Sequence, residues 1–364
     1  MPEPTREKPA RNIVIDVPPV ETPSPSAPVA ANSFRPLRTL NILYLGLLAT
    51  IAFFNFIGAE YFPLTGLNLY LPQWLWALPG IPLWIATAIW LRRRLWMPTL
   101  GLLWVFGPLM GYCWHLPWPV STANATRLRV MTYNVKLGHG NRNAIVRDII
   151  QTNPDILLVQ ERGGALNDLL RTLYSNRYAI ARGQYLIVSR FPIVSAGELR
   201  SLQAQGDFMN CLRCQVQVGN KVVTLYTAHL SSPRGGLVIV KHYRLEGLGF
   251  WQKDANIRID EAQRLAGYIQ QEEGPVLLGG DLNAPVPSRV CKSLFGAGLR
   301  DVFSTAGRGY GYTYGRATKV GLSYVRIDHL MMSSHFRALA CWPGNEEGSP
   351  HRPVTADLLL PDSP

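Results

Sequence analysis

The chain contains 364 residues, with 36 Lys+Arg against 24 Asp+Glu and a formal net charge of +12. The first 125 residues hold 8 of the basic and 5 of the acidic residues, so 28 and 19 remain for the rest, an excess of nine positive charges. That excess suits a polyanionic partner or an anionic membrane surface without choosing between them. The five cysteines argue against a zinc site, because Cys211-x-x-Cys214 lacks a second pair at zinc spacing.

The N-terminal third differs in composition from the rest of the chain. Residues 1–34 are rich in Pro, Ser and Ala and have few large apolar side chains, which predicts a disordered tail. Three apolar spans follow, Leu40 to Ile57, Leu75 to Leu91 and Leu95 to Trp114. We predict that they form three transmembrane helices within a membrane anchor at residues 35–118.

Two alternatives exist for these spans. A cleaved signal peptide would explain the first, but the run lies far from Met1 and two further spans follow it. A buried soluble helical domain would explain all three, but tryptophans between Trp74 and Trp118 lie mostly at the span ends, like an interfacial belt. The prolines of the second and third spans are compatible with membrane helices.

The basic residues predict the orientation. Arg35 and Arg38 precede the first span and Arg92–Arg94 separate the second from the third, whereas the first connection contains Glu60 and no Lys or Arg. The positive-inside rule then places the N-terminus and Arg92–Arg94 in the cytoplasm. With three crossings of a plasma or inner membrane, the domain at residues 126–364 lies outside, in the periplasm or the extracellular space.

Apolar runs in residues 126–364 contain, end at or are preceded by polar residues of catalytic type. In chain order they are Val130–Val135 with Asn134, Asp155–Gln160 followed by Glu161, Val223–Leu230 with His229, Pro275–Gly280 followed by Asp281 and Asn283, Arg326–Met332 with Asp328, and Ser349–Val354 with His351. Each alone reads more readily as a satisfied structural group, and Asp281-Leu282-Asn283 alone reads as an Asx turn. Together they favour one site, because a strand end held by a packed sheet places catalytic groups rigidly.

Local patterns predict a mixed α and β domain of about 230 residues. Asn143 to Thr152 and Glu261 to Gln271 have helical patterns, and short apolar runs recur between turn signals. Residues Gln215 to Val223 alternate polar and apolar side chains around Gly219-Asn220, which predicts a hairpin.

In order and chemistry, these segments resemble the endonuclease/exonuclease/phosphatase superfamily of metal-dependent phosphoesterases, from about Arg127 to Leu360. The resemblance implies an α/β fold, a four-layer sandwich of two packed, mostly antiparallel sheets flanked by helices. It also implies hydrolysis of a phosphodiester, a substrate whose anionic oxygens call for a divalent cation, a positioned water and donors where charge builds up.

Roles can be assigned on that basis. Glu161 is the main metal ligand, because a hard carboxylate suits Mg²⁺, with Mn²⁺ as the alternative ion, and the resemblance adds Asn134. Asp281 would orient and deprotonate the attacking water, and Asn283 would hold a phosphate oxygen.

The histidine roles also follow the resemblance. His351 would donate to the phosphate as an imidazolium with Asp328 as its carboxylate partner, and His229 would contact phosphate from the opposite lip. His329 is left out, because it lies on the other strand face from Asp328.

One position departs from the family pattern. Ser349-Pro350-His351 stands where the family usually has Ser-Asp-His, and proline cannot ligate a cation. This departure leaves three interpretations open. In the first the site has a lower metal affinity, and in the second it holds a single ion. In the third interpretation, the domain is a catalytically inactive, membrane-anchored binding module for nucleic acid or anionic lipid.

The substrate class also stays open. Pro233 to Arg258 reads as a long basic and aromatic connection, and Gly309 to Tyr314 as a second aromatic loop that borders the site in the family. Stacking on nucleic-acid bases and seating on phospholipid headgroups both use such residues. The disulfide state of Cys211, Cys214, Cys291 and Cys341 and the oligomeric state are not decided by the sequence.

Overall fold

A computed structural model of the protein describes residues 35–115, 124–164, 175–199 and 210–362. The tail predicted for residues 1–34 lies outside these ranges. Strands are numbered in chain order. They are β1 (Ala125–Asn134), β2 (Ile156–Gln160), β3 (Tyr178–Arg182), β4 (Tyr185–Ser189), β5 (Ile193–Glu198), β6 (Cys211–Val218), β7 (Lys221–His229), β8 (Val276–Asp281), β9 (Arg300–Asp301), β10 (Asp328–Met332), β11 (Arg337–Pro343) and β12 (Val354–Pro361).

The α-helices are numbered in the same way. They are α1 (Arg35–Ile57), α2 (Pro63–Asn68), α3 (Ala77–Trp90), α4 (Trp96–Trp104), α5 (Arg142–Thr152), α6 (Arg234–Tyr243), α7 (Leu248–Ile269), α8 (Arg289–Gly296) and α9 (Val302–Ala306). Short 3₁₀ turns occur at Ala59–Tyr61, Gln73–Trp76, Arg92–Arg94, Lys136–Gly138 and Arg244–Gly247, and a π turn at Val105–Leu109.

Two six-stranded sheets form the centre of the domain. The first has the order β11-β12-β1-β2-β4-β3 and the second has the order β5-β6-β7-β8-β10-β9. Each sheet is mixed, with one parallel pair, β1 with β2 and β7 with β8, among antiparallel neighbours. The predicted sandwich of two packed sheets flanked by helices is therefore confirmed.

Apolar side chains of both sheets meet in one core. Leu158 of β2 and Leu330 of β10 lie against Gly279 of β8, where an added Cβ would be 2.6 Å from Leu158 Cδ1 and 3.0 Å from Leu330 Cδ2. Glycine at this position therefore lets the two sheets approach closely. Helix α5 covers the outer face of the first sheet, and α7 and α8 cover the outer face of the second.

A buried polar link joins the sheets beneath the strand ends that carry Glu161 and His229. Gln160 Nε2 donates to Thr227 Oγ1 at 2.8 Å in the second sheet and to Thr132 Oγ1 at 3.0 Å in the first. Hydrogen-bonded buried polar groups of this kind fix the position of one sheet relative to the other, because a buried donor without an acceptor would destabilise the fold.

The structure confirms some of the predicted local elements and corrects others. The helix at Asn143 to Thr152 is confirmed by α5, and the hairpin is confirmed by β6 and β7, which pair from Val218 with Lys221 around Gly219 at φ 59°. The helix at Glu261 to Gln271 starts earlier than predicted, since α7 begins at Leu248. The predicted connection from Pro233 to Arg258 is correspondingly wrong, because it forms α6, a 3₁₀ turn and the first half of α7.

The prediction of three transmembrane helices is also wrong. Within the described ranges, α1 is the one helix long and apolar enough to cross a membrane, and a signal sequence near the N-terminus would have the same properties. Helix α3 has 14 residues and α4 has 9, which at 1.5 Å per residue falls short of about 30 Å of hydrocarbon. The 3₁₀ turn at Gln73–Trp76, which precedes α3, and Pro108, inside the π turn that follows α4, interrupt these segments.

Helix α3 packs antiparallel against α1. Asn41 Nδ2 donates to Thr87 Oγ1 at 2.9 Å, while the Tyr44 ring fills the space over Gly80 and Gly101. Small residues at these positions allow close helix contact. The Arg92–Arg94 turn therefore lies toward the beginning of α1.

All five cysteines are free thiols. Cys211 and Cys214 both lie in β6, but Cys211 belongs to the core under α7 and Cys214 to the core between the sheets. Residues three apart on a strand face opposite sides, so this pair cannot form a disulfide without breaking the sheet.

Candidate active site

A cavity of about 1030 Å³ lies at one edge of the sandwich. Strands β1 and β2 are parallel, as are β7 and β8, so each pair brings its carboxyl ends to this edge. Strand β10 runs antiparallel to β8 and begins at the same edge, with Asp328 opposite Asp281. The polar residues that follow the apolar runs in the sequence therefore converge.

The Asp281 carboxylate has contacts with four residues of the cluster. Its Oδ2 accepts from Asn134 Nδ2 at 2.9 Å, and its Oδ1 accepts from the backbone N–H of Asn283 at 3.0 Å. Two imidazoles flank it, with His351 Nδ1 at 3.6 Å and His229 Nε2 at 3.7 Å from Oδ2. The side chain is 2% exposed, so this carboxylate is oriented by protein groups on several sides.

Glu161 follows β2 and faces the same cavity. Lys136 Nζ donates to both of its carboxylate oxygens, at 3.1 Å and 3.0 Å, and Asn134 Nδ2 donates to Oε1 at 3.1 Å. Burial opposes ionisation of Glu161, but the hydrogen bonds from Lys136 and Asn134 outweigh it and hold the pKa of this carboxyl below its usual value. Glu161 is therefore an anion whose nearest cation is an ammonium of the chain itself.

Strained backbone is concentrated here. Lys136, Leu137, Glu161 and Asn283 have φ values of 48°, 56°, 49° and 50°, in the left-handed region that non-glycine residues rarely adopt. Such conformations cost of the order of 1–3 kcal/mol each and cluster at functional sites.

His351 and Asp328 form a buried pair behind Asp281. His351 Nδ1 lies 3.0 Å from Asp328 Oδ2, and the Tyr314 ring lies over the imidazole at a centroid distance of 4.8 Å. Burial opposes the imidazolium, but the Asp328 and Asp281 carboxylates outweigh it and raise the pKa of His351 to about 9. The same burial, together with Asp281, raises the pKa of Asp328 against the opposing effect of His351.

Both pKa shifts concern the one proton between His351 and Asp328, which either group can hold. We favour the ion pair at neutral pH, because His351 contacts Asp328 at 3.0 Å and also lies close to the Asp281 carboxylate.

All seven predicted site residues belong to this cluster. Glu161, His229, Asp281, Asn283 and His351 line the cavity, whereas Asn134 and Asp328 lie behind it and contact the lining residues. Asn283 Nδ2 already donates to Leu230 O at 2.9 Å, which leaves its second N–H for another acceptor. His329 lies on the other face of β10, against Asp301 and Ala284 O.

Four further residues of the site had not been predicted. Lys136 pairs with Glu161, Gln184 Oε1 lies 2.8 Å from His229 Nδ1, Tyr314 contacts His351, and Tyr70 lines the cavity from the N-terminal segment. Two had a sequence signal, since Lys136 follows Asn134 by two residues and Tyr314 lies in the aromatic loop. Gln184 and Tyr70 had none.

Within the part of the chain that the structure describes, two sets of residues in this cluster have the chemistry to hold a cation. Ligand atoms of Asp281, Asp328 and His351 lie within 4.8 Å of one another, but a protonated imidazole donates rather than ligates. Glu161 offers ionised, hard carboxylate oxygens at the cavity wall, whereas Asn134 turns its NH2 group toward them and its Oδ1 accepts from the Lys136 N–H at 3.0 Å. The donor set at Glu161 therefore fits Mg²⁺ or Mn²⁺ better than the set around His351.

Comparison with known proteins agrees with this architecture. The sequence model described as "Endonuclease/Exonuclease/phosphatase family" matches residues 131–351. No curated protein sequence matches the chain.

Several solved structures share the fold. A family protein from Bacteroides vulgatus is similar at TM-score 0.51 and 16% identity, over 65% of this chain and 99% of that one. A family protein from Bacteroides thetaiotaomicron gives TM-score 0.50 and 16% identity, over 65% and 98%. Humanized D. rerio TDP2 gives TM-score 0.51 and 16% identity, over 64% and 98%.

Proposed function

The chain belongs to the endonuclease/exonuclease/phosphatase family, and from that membership we propose that it is a metal-dependent phosphodiester hydrolase attached to a membrane. Members of this family are phosphoesterases that depend on divalent metal ions. The observation that carries the proposal is the Asp281 carboxylate at the cavity wall, held between the Asn134 amide and two imidazoles.

Glu161 is the proposed metal ligand, with Asn134 beside it. A divalent cation bound there would polarise the phosphate and stabilise negative charge on its oxygens. The carboxylate needs no prior loss of a proton, because its pKa is already held low. Lys136 competes with a cation for Glu161, since its ammonium contacts both carboxylate oxygens.

The chain's own residues supply the remaining chemistry. Asp281 accepts a proton from the attacking water, in an orientation fixed by Asn134 and the Asn283 N–H. His351 donates to a phosphate oxygen as the imidazolium that its raised pKa maintains at neutral pH, and Asp328 holds the ring in place. His229 and the second amide N–H of Asn283 are the other donors at the cavity wall.

The lining of the cavity suits a phosphodiester with an apolar or aromatic substituent. Lys136, Arg234 and Lys241 supply positive charge, while Leu237 and Tyr324 supply apolar surface. Nucleic acid and phospholipid are both substrates with this combination of anionic and apolar groups. We therefore propose these two classes as the substrates to test.

A weakened site is the second candidate, since two observations favour it. Pro350 lines the cavity where the family usually has an aspartate, and the Lys136 ammonium occupies the carboxylate that would bind metal. In that case the domain binds nucleic acid or anionic lipid at the membrane without turnover.

Membrane attachment is proposed through α1. Its outward side chains include Leu43 at 62% exposure and Phe56 at 79%, a surface that requires an apolar surrounding. Helices α3 and α4 share the apolar layer as a hairpin packed on α1, not as independent spans. The beginning of α1 and the Arg92–Arg94 turn would then face the cytoplasm, with the catalytic domain in the periplasm or outside the cell.

The proposal is tested with the full-length protein in detergent, with and without Mg²⁺. Substrates are a nucleic acid, a phospholipid and bis(4-nitrophenyl) phosphate, and Glu161→Gln is the matched variant. We expect Mg²⁺-dependent hydrolysis of at least one substrate and its loss, by about 10²-fold or more, in Glu161→Gln. Binding without hydrolysis of any substrate would support the weakened site, and activity equal to the parent in Glu161→Gln would remove Glu161 from the mechanism.

A further inference from the structure

Tyr70 connects the N-terminal segment to the catalytic site. Its hydroxyl donates to the backbone carbonyl of Asn283 at 2.9 Å, and its side chain lines the same cavity as Asp281 and His351. Tyr70 follows α2, so a residue of the proposed membrane attachment forms part of the wall of the site.

Tyr70 contacts the backbone of Asn283, whose conformation is fixed by hydrogen bonds. Asn283 has φ 50°, in the left-handed region that asparagine adopts more readily than other non-glycine residues because its short polar side chain hydrogen-bonds locally. Its N–H donates to Asp281 Oδ1 and its side chain donates to Leu230 O. The Tyr70 hydroxyl satisfies the remaining carbonyl, so three hydrogen bonds fix the residue that orients the Asp281 carboxylate.

Tyr70 is itself fixed by buried side chains of α7. Its ring meets the Trp251 ring edge to face at a centroid distance of 5.4 Å, and the Arg258 guanidinium lies 5.8 Å from the Tyr70 centroid. Trp251 and Arg258 are both buried. Burial raises the pKa of Tyr70, so its hydroxyl remains a donor throughout the neutral range.

The segment around Tyr70 is docked by a buried carboxylate. Glu60 Oε2 accepts from the Arg289 N–H at the start of α8 at 2.8 Å, and Glu60 O accepts from Gln252 Nε2 at 2.8 Å. A carboxylate at a helix N-terminus is favourable. Gly66 of α2 packs on the Trp251 indole, where a Cβ would lie 3.3 Å from Nε1.

We propose that the segment from Gly58 to Tyr70 is a structural part of the catalytic site, and that Tyr70 is a positioning residue for the Asp281-Leu282-Asn283 turn. The inference rests on the proposed function, since it assigns Tyr70 a part in placing the Asp281 base. It adds that the N-terminal segment does more than attach the enzyme to a membrane.

Tyr70→Phe in the full-length protein tests this, because the change keeps the ring and removes only the hydroxyl. With bis(4-nitrophenyl) phosphate and Mg²⁺, we expect kcat to fall about threefold to tenfold, the range for one lost hydrogen bond. KM should stay unchanged, because the hydroxyl donates to backbone and not to substrate. Hydrogen exchange of a peptide covering Asp281 to Ala284 should accelerate.

Tyr44→Phe is the matched control. Its hydroxyl also donates to a backbone carbonyl, that of Trp76 at 3.0 Å, but within the packed helices away from the cavity. We expect its kcat and the exchange of the 281–284 peptide to equal those of the parent. Unchanged kcat and exchange in Tyr70→Phe, or equal losses in both variants, would overturn the proposal.

Hydrogen exchange separates this inference from the proposed function. If the parent protein hydrolyses no substrate, the proposed function fails, and the exchange of the 281–284 peptide alone decides whether Tyr70 holds the turn.

Discussion

Lys136 gives the site an unusual charge arrangement at the scale of single residues. Its ammonium contacts both oxygens of the carboxylate that we propose as the metal ligand. The pair is partly exposed, with Lys136 at 39% and Glu161 at 13% side-chain exposure, so the attraction is moderate and a divalent cation can compete with it. Metal binding is therefore expected to depend on this lysine.

Lys136→Met should strengthen Mn²⁺ binding to the protein about fivefold, because the cation no longer displaces an ammonium. Isothermal titration calorimetry with Mn²⁺ gives the dissociation constant. Lys241→Met serves as the control, since Lys241 lines the same cavity while the lysine that pairs with Glu161 is Lys136. An equal or weaker affinity in Lys136→Met would show that the lysine does not compete for the ion.

The raised pKa of His351 predicts a pH dependence of stability. The folded-state pKa of about 9 exceeds the ordinary value of 6.5, so the paired imidazolium contributes full stability below pH 6.5 and loses it as the pH rises through 9. The melting temperature of the metal-free protein should therefore fall between these pH values. In His351→Gln that fall should disappear, and the same slope in both proteins would assign it to other groups.

The sequence identifies the seven polar residues because each lies within or next to an apolar run. It does not identify Gln184, whose contact with His229 spans 45 residues, or Tyr70, whose contact with Asn283 spans 213. Neither residue lies in a local pattern, and their roles depend on which surfaces the fold brings together.

At the scale of elements, Gly280 determines how closely β7 and β8 approach each other. A Cβ at Gly280 would lie 1.9 Å from the backbone oxygen of Ala228 in β7, a distance that the rigid backbone cannot relieve. The next pair along these strands is His229 with Asp281. The spacing of two site residues therefore depends on the absence of a side chain at Gly280.

Gly280→Ala should destabilise the protein by about 3 kcal/mol and separate β7 from β8 near the site. Thermal unfolding measures the first effect, and loss of hydrolysis with a retained far-UV spectrum measures the second. Gly296→Ala is the control, because an added Cβ there has nothing within 4 Å. A melting temperature equal to the parent in Gly280→Ala would mean that the strands tolerate the methyl group.

Helices were harder to predict than strands. Helix α5 has a regular apolar face, whereas α6, the 3₁₀ turn after it and the first half of α7 contain Gly235, Gly236, Gly247 and Gly249 among basic and aromatic residues. Glycine lowers helix propensity, so local sequence favours a loop. Burial of Trp251 and Ala255 overrides that preference, which is a tertiary effect.

The attachment of the catalytic domain to the N-terminal helices is the main feature at the scale of the whole molecule. Hydrogen bonds to backbone carbonyls connect the two parts at several points, including Tyr70 to Asn283, Tyr312 to Met110 and Gln252 to Glu60. The domain is thus fixed against these helices. Hydropathy located the apolar segments but not their division into helices, because the Gln73–Trp76 turn before α3 and the π turn with Pro108 after α4 shorten them.

Orientation can be measured by proteolysis of intact cells with any outer membrane permeabilised. We expect protease added from outside to digest the domain after Thr126 and to spare the Arg92–Arg94 turn, since the basic residues favour the cytoplasmic side. Detergent lysis, which exposes both sides, is the control. A protected catalytic domain in unlysed cells would reverse the orientation.

The position of β12 has a consequence for biosynthesis. This strand, the last in chain order, lies inside the first sheet between β11 and β1, and it pairs with β1 from Ala125–Pro361 to Thr132–Val354. Strand β1 therefore pairs with a strand that is more than 200 residues later in the chain, and such distant pairings form slowly. A nascent chain that lacks β12 leaves β1 with an open edge, so the first sheet is complete only after synthesis has reached Pro361.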